Sequence, residues 1–552
     1  MNSGVKMENI DGTQNNGSSG RIIGRNVTEL RYRTPYNEDV FLGEILIAEN
    51  DENDRRFLLR VFDIEYGAEA SSHDWPERTA GNMLVMEQSN HSFELHDKDR
   101  RLFKVGVCSP LGYIVNTTEF RKPKTIPPHF SRIRKANKDD YTVLRQFMGD
   151  IIIGDLRSGE QVVPFNVGVR GMDFPSHIGI FATTGMGKSN LMKRLAVAVM
   201  ESGRHGLLIL DPHGEYFDGG KAEHRGLNHH PLAKDRLVVF SARDLKGAVG
   251  GYNKIKISAQ EIEIEDLMQL YDFSDAQRDA FNSAKRIYHE NWLMALLEGE
   301  IEDLVIDLVG TFEGSIGVIK RRLMNLFRSK ILTKDKTISI SDQVYDALVN
   351  GKVVLVDTSN MGEAEELLVS IVLARAVFER NKRTFADPEE FKKLPEFLIT
   401  MEEAQRVLSR IAPGGRNNIF ATIAREGRKF KTGLCAISQQ PKLIDEEIIS
   451  QFNTLFILGL ADKGDRNVLR DSAKQDVSQL SNEIQMLMPG EALIASPFTP
   501  FAIPVKIHLY EDFIGSLNQN RGAQNNSSKT EMKNDEDVDR NLGEKKIDDG
   551  FF

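Results

Sequence analysis

The sequence predicts an α/β protein: a parallel sheet covered by helices on both faces, with a small β-barrel ahead of it and a helical bundle inserted into it. Three observations lead there. Short, near-continuous apolar runs alternate with helical stretches through the middle of the chain, which is how strands buried on both faces read. One of these runs, Ile178-Gly179-Ile180-Phe181, passes through a glycine-containing turn straight into a helix. The first third of the chain shows instead short alternating segments between polar turns, the signature of antiparallel strands.

Taken in order, residues 1–20 are rich in Asn, Gly and Ser and lack an apolar run, so a disordered leader is expected and not a signal peptide. Residues 21–169 are expected to form the barrel, with strands at 40–48, 56–62, 102–107, 112–115 and 161–169. A basic, proline-broken segment, Arg121-Lys-Pro-Lys124 through Arg132-Ile-Arg-Lys135, reads either as a solvated linker or as a phosphate-contacting face. The sheet domain spans 170–513, with strands at 206–210, 236–240, 352–356, 396–401, 433–437 and 454–458. Between 258 and 350 the strand signal gives way to helices at 262–271, 276–295, 301–312 and 314–327, the last carrying Lys320-Arg-Arg322 as a solvated basic face. Residues 514–552 turn polar and acidic, too poor in apolar groups to fold alone. They finish Ile547-Asp-Asp-Gly-Phe-Phe552, a tip that reads as a plain solvated tail or as a docking motif for a partner groove.

The bulk numbers fit this plan. A chain of 552 residues has room for two to four domains, and 40% hydrophobic with 28% charged residues is the balance of a soluble globular protein. Without an apolar run long enough to span a bilayer, no membrane association is expected. The two cysteines, Cys108 and Cys435, lie far apart with no metal-ligand spacing, which suits a reducing cytoplasm. The net charge of −10 argues against a general nucleic-acid coat but not against basic groups confined to a channel.

The turn after residue 181 carries the chemistry. Ala182-Thr183-Thr184-Gly185-Met186-Gly187-Lys188-Ser189 sits between a strand and a helix, the context in which a phosphate loop works. Gly185 and Gly187 let successive N–H groups point into one concavity, and the helix end adds its partial positive charge. Thr184 through Asn190 are the residues expected around ATP, with Lys188 on the terminal phosphates and Ser189 offering its hydroxyl to Mg2+. Ala182 stands where glycine is usual. The following helix, apolar at three- and four-residue spacing, is expected to be amphipathic.

Hydrolysis needs acids as well. Phe397-Leu-Ile-Thr-Met-Glu402-Glu403-Ala-Gln405 ends an apolar strand in two carboxylates, which places both at the sheet edge beside the phosphate loop. Glu402 is expected to hold the magnesium and Glu403 to orient or deprotonate the attacking water. Two loops after strands, Asp211-Pro-His-Gly-Glu-Tyr216 and Ser438-Gln439-Gln440, either order the metal shell and sense the γ-phosphate, the latter through Gln439, or simply cap their strands. Arg425 and Arg428, flanking Gly427, are candidates for a cation inserted against the γ-phosphate of a neighbouring subunit.

These strings in this order resemble the HerA family of hexameric double-stranded-DNA translocases, in the HerA/FtsK group. Asp173-Phe-Pro-Ser-His177, the phosphate loop, Asp211-Pro-His-Gly-Glu-Tyr216, Glu402-Glu-Ala-Gln405, Ala424-Arg-Glu-Gly-Arg-Lys-Phe430 and Ile437-Ser-Gln-Gln-Pro441 carry the resemblance. It implies a RecA-like P-loop NTPase core behind a HAS-barrel-like domain, and a homo-hexamer that moves duplex DNA through its channel. A NurA-like nuclease docked on the barrel end would be its partner in resecting DNA ends for recombinational repair. The family's trans-acting arginine falls on Arg425 or Arg428 and its catalytic glutamate on Glu403. Glu402, where aspartate is more usual, and Ala182 depart from the pattern without removing a needed chemical group. Two other classes stay open: a motor moving protein or DNA in a secretion or conjugation system, and a nucleotide-dependent scaffold with little turnover.

Overall fold

The computed structural model describes residues 20–50, 53–68, 75–89, 101–116, 118–220, 224–245, 251–412 and 418–517. The leader and the acidic tip discussed above lie outside them.

Alternating burial builds the first unit. Strands β1 (Gly20–Arg25), β2 (Leu30–Pro35), β3 (Ile45–Asn50), β4 (Asn53–Ala68), β5 (Leu102–Val115), β6 (Glu119–Arg121) and β7 (Arg132–Lys135) pair in the order β2-β1-β7-β3-β4-β5-β6. A further antiparallel pairing of β2 with β5 closes six of them into a barrel, with β6 appended to β5. Ile22, Tyr32, Leu46, Phe57, Val61, Cys108 and Ile133 fill the interior. The two segments expected at 102–107 and 112–115 are one strand running through Pro110, which faces a register shift at Leu58/Leu59 where a ladder hydrogen bond is dispensable. In the basic 121–135 segment, residues 122–131 connect β6 to β7, with Lys122 and Lys124 exposed, and only the end is built in, where β7 lies between β1 and β3. Its Arg134 is spent inside the molecule on Asp140, 2.7 Å away.

The second unit is a twelve-stranded sheet. Its strands are β8 (Ile151–Ser158), β9 (Gln161–Val169), β10 (Ile178–Phe181), β11 (Gly206–Asp211), β12 (Leu237–Ser241), β13 (Asn253–Lys254), β16 (Val353–Asp357), β17 (Phe397–Met401), β18 (Thr432–Ser438), β19 (Thr454–Ile457), β20 (Glu491–Ala495) and β21 (Ile503–Ile507). The strands β14 (Ile257–Ser258) and β15 (Leu332–Thr333) pair only with each other. The order is β13-β12-β16-β11-β17-β18-β10-β19-β20-β21-β8-β9, parallel as far as β19 and antiparallel beyond it. β9, expected in the barrel, therefore belongs to this sheet: it pairs along β8, and its Phe165 and Val167 are buried in the sheet's own core. β10 sits between β18 and β19 with Phe181 level with Ser438 and Ile457, so the phosphate loop and the ends of its neighbours leave the sheet at one edge.

The helix Lys188–Ser202 is not amphipathic as its spacing predicts. Every residue from Leu191 to Met200 is buried, Lys193 and Arg194 included. The segment after β21 covers its second face: Asn190 is bonded to His508 and Tyr510, and the Arg194 guanidinium lies 3.8 Å over the Phe513 ring.

The helical insertion packs around Phe273, Phe281, Trp292, Ile316, Ile319 and Leu323. The helix expected over 276–295 is two, Asp275–Tyr288 and Trp292–Glu298, because His289 takes φ 50° and interrupts the ladder. Its basic cluster is a solvated face only in part: Arg321 is exposed, while half-buried Lys320 donates to the Gly299 carbonyl and Arg322 lies over the Phe273 ring. The barrel is fastened to the sheet unit by a buried charge cluster, Arg60 of β4 and Arg157 of β8 both on Glu483, with Arg60 also donating to the Ala502 carbonyl at 2.9 Å. Breaking such a set from one side leaves an uncompensated buried charge, which costs about 3–5 kcal/mol.

Candidate nucleotide site

At the end of β10 the chain makes its tight turn through two left-handed glycines, Gly185 at φ 82° and Gly187 at φ 101°. A Cβ on Gly185 would meet nothing within 4 Å, so glycine is needed there for backbone conformation and the face above it is open. Gly187 caps the helix that begins at Lys188. The Lys188 ammonium reaches back to the carbonyls of Ala182 and Thr183 at 3.2 and 3.3 Å. Burial pulls its pKa below the usual lysine value, resisted by the carboxylates of Glu402, Glu403 and Glu215. Thr183 is tied to the Gly459 carbonyl, and Met186 packs on Gly459 and accepts from Gly490 N–H. Asn190, expected near the nucleotide, spends its side chain on the segment after β21, which leaves only its backbone N–H for the cradle.

The two acids after β17 part company. β18 lies between β17 and β10, so the acids stand one strand further from the phosphate loop than adjacency would put them, about 10 Å across the sheet. Glu403 adopts φ 49°, a left-handed conformation that costs a non-glycine residue about 1 kcal/mol or more. In that position it accepts from Gln439 Nε2 at 3.1 Å and from Gln405. Gln439 in turn accepts from the Thr184 hydroxyl, and Gln405 accepts from Ser438 Oγ at 2.7 Å. A continuous hydrogen-bonded chain therefore runs Thr184–Gln439–Glu403–Gln405–Ser438 and spans the intervening strand. Glu402 instead takes the hydroxyl of Tyr216. Burial and the nearby carboxylates of Asp211 and Glu215 push its carboxyl up to about 7, with Tyr216 and His213 pulling the other way.

The loop after β11 explains Tyr216 and adds a carboxylate. Asp211, fully buried, accepts backbone N–H groups from His213, Gly214, Glu215 and Tyr216, with 2.7 Å to Gly214 the shortest. Burial, with Asp357 next to it, raises Asp211 to about 6 despite those donors. Arg243 locks the turn from outside, donating to Asp357 at 2.6 Å and to the Gly214 carbonyl at 3.2 Å. The outcome is that Glu215 presents its carboxylate to Ser189 Oγ at 2.8 Å. The sequence by itself marks this loop as a whole and does not single out Glu215, Tyr216 or Arg243. The available signal was Asp211 followed by Gly214 directly after a buried strand, the pattern of an aspartate collecting the N–H groups of its own turn.

Arg425 and Arg428 are elsewhere. Arg425 is exposed on the helix Ile419–Glu426 and Arg428 on the turn Gly427–Phe430, both ahead of β18 and so at the opposite edge of the sheet. Asp173 and His177 lie within electrostatic reach of Arg428. β18 alone has seven residues, about 20 Å, so neither arginine meets the phosphate loop of its own chain.

Residues 151–377 match the family described as the central domain of the helicase HerA. The chain is 26% identical over 413 residues to the DNA double-strand break repair helicase HerA of Pyrococcus furiosus, covering 66% of this chain and 72% of that one. It is 26% identical over 391 residues to the same-named protein of Saccharolobus solfataricus (70% and 74% covered). A probable helicase of Methanocaldococcus jannaschii is 27% identical over 464 residues (80% and 84%). Among solved structures, the plasmid coupling protein TrwB with ADP and Mg2+ superposes at TM-score 0.42 and 15% identity (62% and 87% covered). VirB4 of Thermoanaerobacter pseudethanolicus superposes at 0.44 and 16% (65% and 96%). At that similarity neither activity nor substrate transfers.

Proposed function

The chain belongs to the HerA helicase family, and from that premise we propose an ATP-driven motor that moves double-stranded DNA through a six-membered ring of identical subunits. Several relatives bear the name of double-strand break repair helicases, which supports work on broken DNA ends; a NurA-like nuclease as partner there is part of the proposal. The observation that carries the proposal is the division of the site: phosphate cradle and acids stand at one edge of the sheet, and the two candidate cations stand at the other.

The cradle fits a triphosphate and its magnesium. Its open face, left-handed glycines, helix N-terminus and lysine are the donor set that phosphate oxygens need, and Ser189 has a hydroxyl for the ion. Bound Mg2+ would supply charge neutralisation between the β- and γ-phosphates. Lys188 exchanges its two backbone carbonyls for phosphate oxygens, a stronger charge-assisted contact. Glu403, held by Gln405 and Gln439, orients the attacking water and takes its proton. Gln439 joins Glu403 to Thr184 of the loop, so a shift at the γ-phosphate reaches the base through one amide. An arginine from the neighbouring subunit, Arg425 or Arg428, completes the charge stabilisation, so that gain and loss of the γ-phosphate close and open the seam.

DNA enters through its backbone, giving sequence-independent, salt-sensitive binding. ATP turnover measured with and without linear duplex DNA tests the reading. Stimulation by the duplex is expected. Turnover indifferent to DNA would replace it with a motor for another cargo, and absence of turnover with a scaffold.

A further inference from the structure

We infer that Glu215 is the carboxylate that works with Ser189 on the metal side of the nucleotide, accepting a hydrogen bond from a water on the bound Mg2+. The assignment rests on the nucleotide site proposed above and refines it. The sequence points instead to Glu402, the first acid after β17.

The argument begins at the Ser189 hydroxyl, which has one proton to donate and lone pairs to offer. Its proton goes to Glu215 Oε2 at 2.8 Å. A divalent cation seated on the hydroxyl would take a lone pair and leave the donated hydrogen bond in place, so the carboxylate stays beside the ion. The carboxylate already at hydrogen-bond distance is then placed to hold a metal-bound water, since Mg2+ dehydrates reluctantly and keeps several waters in phosphate sites. Glu402 is committed elsewhere, one oxygen being occupied by the Tyr216 hydroxyl.

Glu215 is also held in place, and that separates it from a surface glutamate that happens to touch a serine. Its own N–H is bound by Asp211 at 3.3 Å, between those of Gly214 and Tyr216 on the same carboxylate. A side chain on Gly214, at φ 69°, would strike Arg243 and Ser359, so the turn has little room to shift. The Tyr216 contact then has a second meaning. Tyr216 pins Glu402 from the same five-residue turn that presents Glu215, so the loop after β11 sets both acids at once. Groups that orient metal-bound water in this manner commonly contribute about ten- to a hundredfold in metal affinity.

The test needs no turnover. Binding of a fluorescent, non-hydrolysable ATP analogue to the full chain is titrated with Mg2+. Glu215→Gln keeps the length and an acceptor for Ser189 but removes the charge, and Glu402→Gln is its control. For Glu215→Gln the Mg2+ concentration at half-effect should rise about tenfold, with analogue affinity in EDTA unchanged or tighter. Glu402→Gln should leave the Mg2+ requirement where it is. In a Ser189→Ala background the Glu215→Gln effect should shrink, because both act through one ion. An unchanged Mg2+ requirement in Glu215→Gln, or a shift found in Glu402→Gln instead, overturns the assignment. If the wild-type chain binds no analogue with or without Mg2+, the nucleotide site itself falls and this assignment with it.

Discussion

At the C-terminal edge of the large sheet Thr184, Gln439, Glu403, Gln405 and Ser438 hold one another through side-chain hydrogen bonds, and Ser189, Glu215, Tyr216 and Glu402 form a second set beside them. At the N-terminal edge Arg425 and Arg428 stand exposed at a helix end and a turn. That second edge is nonetheless well anchored. His177 takes the Leu434 N–H on Nδ1 at 3.0 Å, which leaves Nε2 to donate to the backbone at Ala424, next to Arg425. One edge holds the groups proposed above to bind a triphosphate and activate water. The other holds cations on a firm base, with the phosphate loop of the same chain out of reach. On the function proposed above, the contrast is what a site completed by a second subunit requires.

The largest effect that could break the comparison is at the cation edge. The double variant Arg425→Ala/Arg428→Ala should lower ATP turnover by about a thousandfold, while equilibrium binding of a nucleotide analogue stays near wild type. Turnover within a few-fold of wild type would remove the arginines from the reaction. Glu403→Gln, at the other edge, should cost about a hundred- to a thousandfold and again leave binding intact, as read by single-turnover kinetics beside analogue titration. Gln439→Ala removes one amide from a charged partner and should slow turnover by about tenfold, the worth of one such hydrogen bond. A slowing as deep as that of Glu403→Gln would show that Gln439 does more than link Glu403 to Thr184.

The smallest effect sharpens the account of how the cation edge is held. Burial lowers His177 from 6.5 to about 4. Between those values the unfolded chain takes up a proton that the folded chain refuses. The neutral ring's contribution is therefore fully present above pH 6.5 and is lost as pH falls toward 4. The loss approaches about 3 kcal/mol at the acid end. His177→Asn suits the φ of 63° and keeps an acceptor for Leu434. Denaturant unfolding of this variant from pH 7 to pH 4.5 should lose stability less steeply than wild type. Parallel curves would mean that His177 is not the group titrating.

The middle of the sheet is legible because its strands there are buried along their length, and the runs at 206–210, 352–356 and 454–458 lie where the hydrogen-bonded strands do. The sequence misleads where local pattern and tertiary environment disagree. The helix after Lys188 reads as amphipathic from its three- and four-residue apolar spacing, yet the segment after β21 covers the face that carries Lys193 and Arg194. β9 looks like one more barrel strand, since alternation says nothing about which sheet a strand joins. In the site, the residues of the glycine turn and the acids after β17 were visible as a motif. The exchange of partners between Glu402 and Glu215 was not, because it depends on Asp211 gathering four N–H groups and so fixing where Glu215 and Tyr216 point.

The most direct test of a site shared between chains mixes two crippled forms. Glu403→Gln subunits keep their arginines, and Arg425→Ala/Arg428→Ala subunits keep their acids. Each should be nearly inactive alone. Co-assembled in equal amounts, they should regain turnover wherever an intact acid edge meets an intact cation edge, about a quarter of the seams in a head-to-tail ring. Mixed assemblies, verified as mixed by native mass spectrometry, that stay as inactive as their parents would contradict the account.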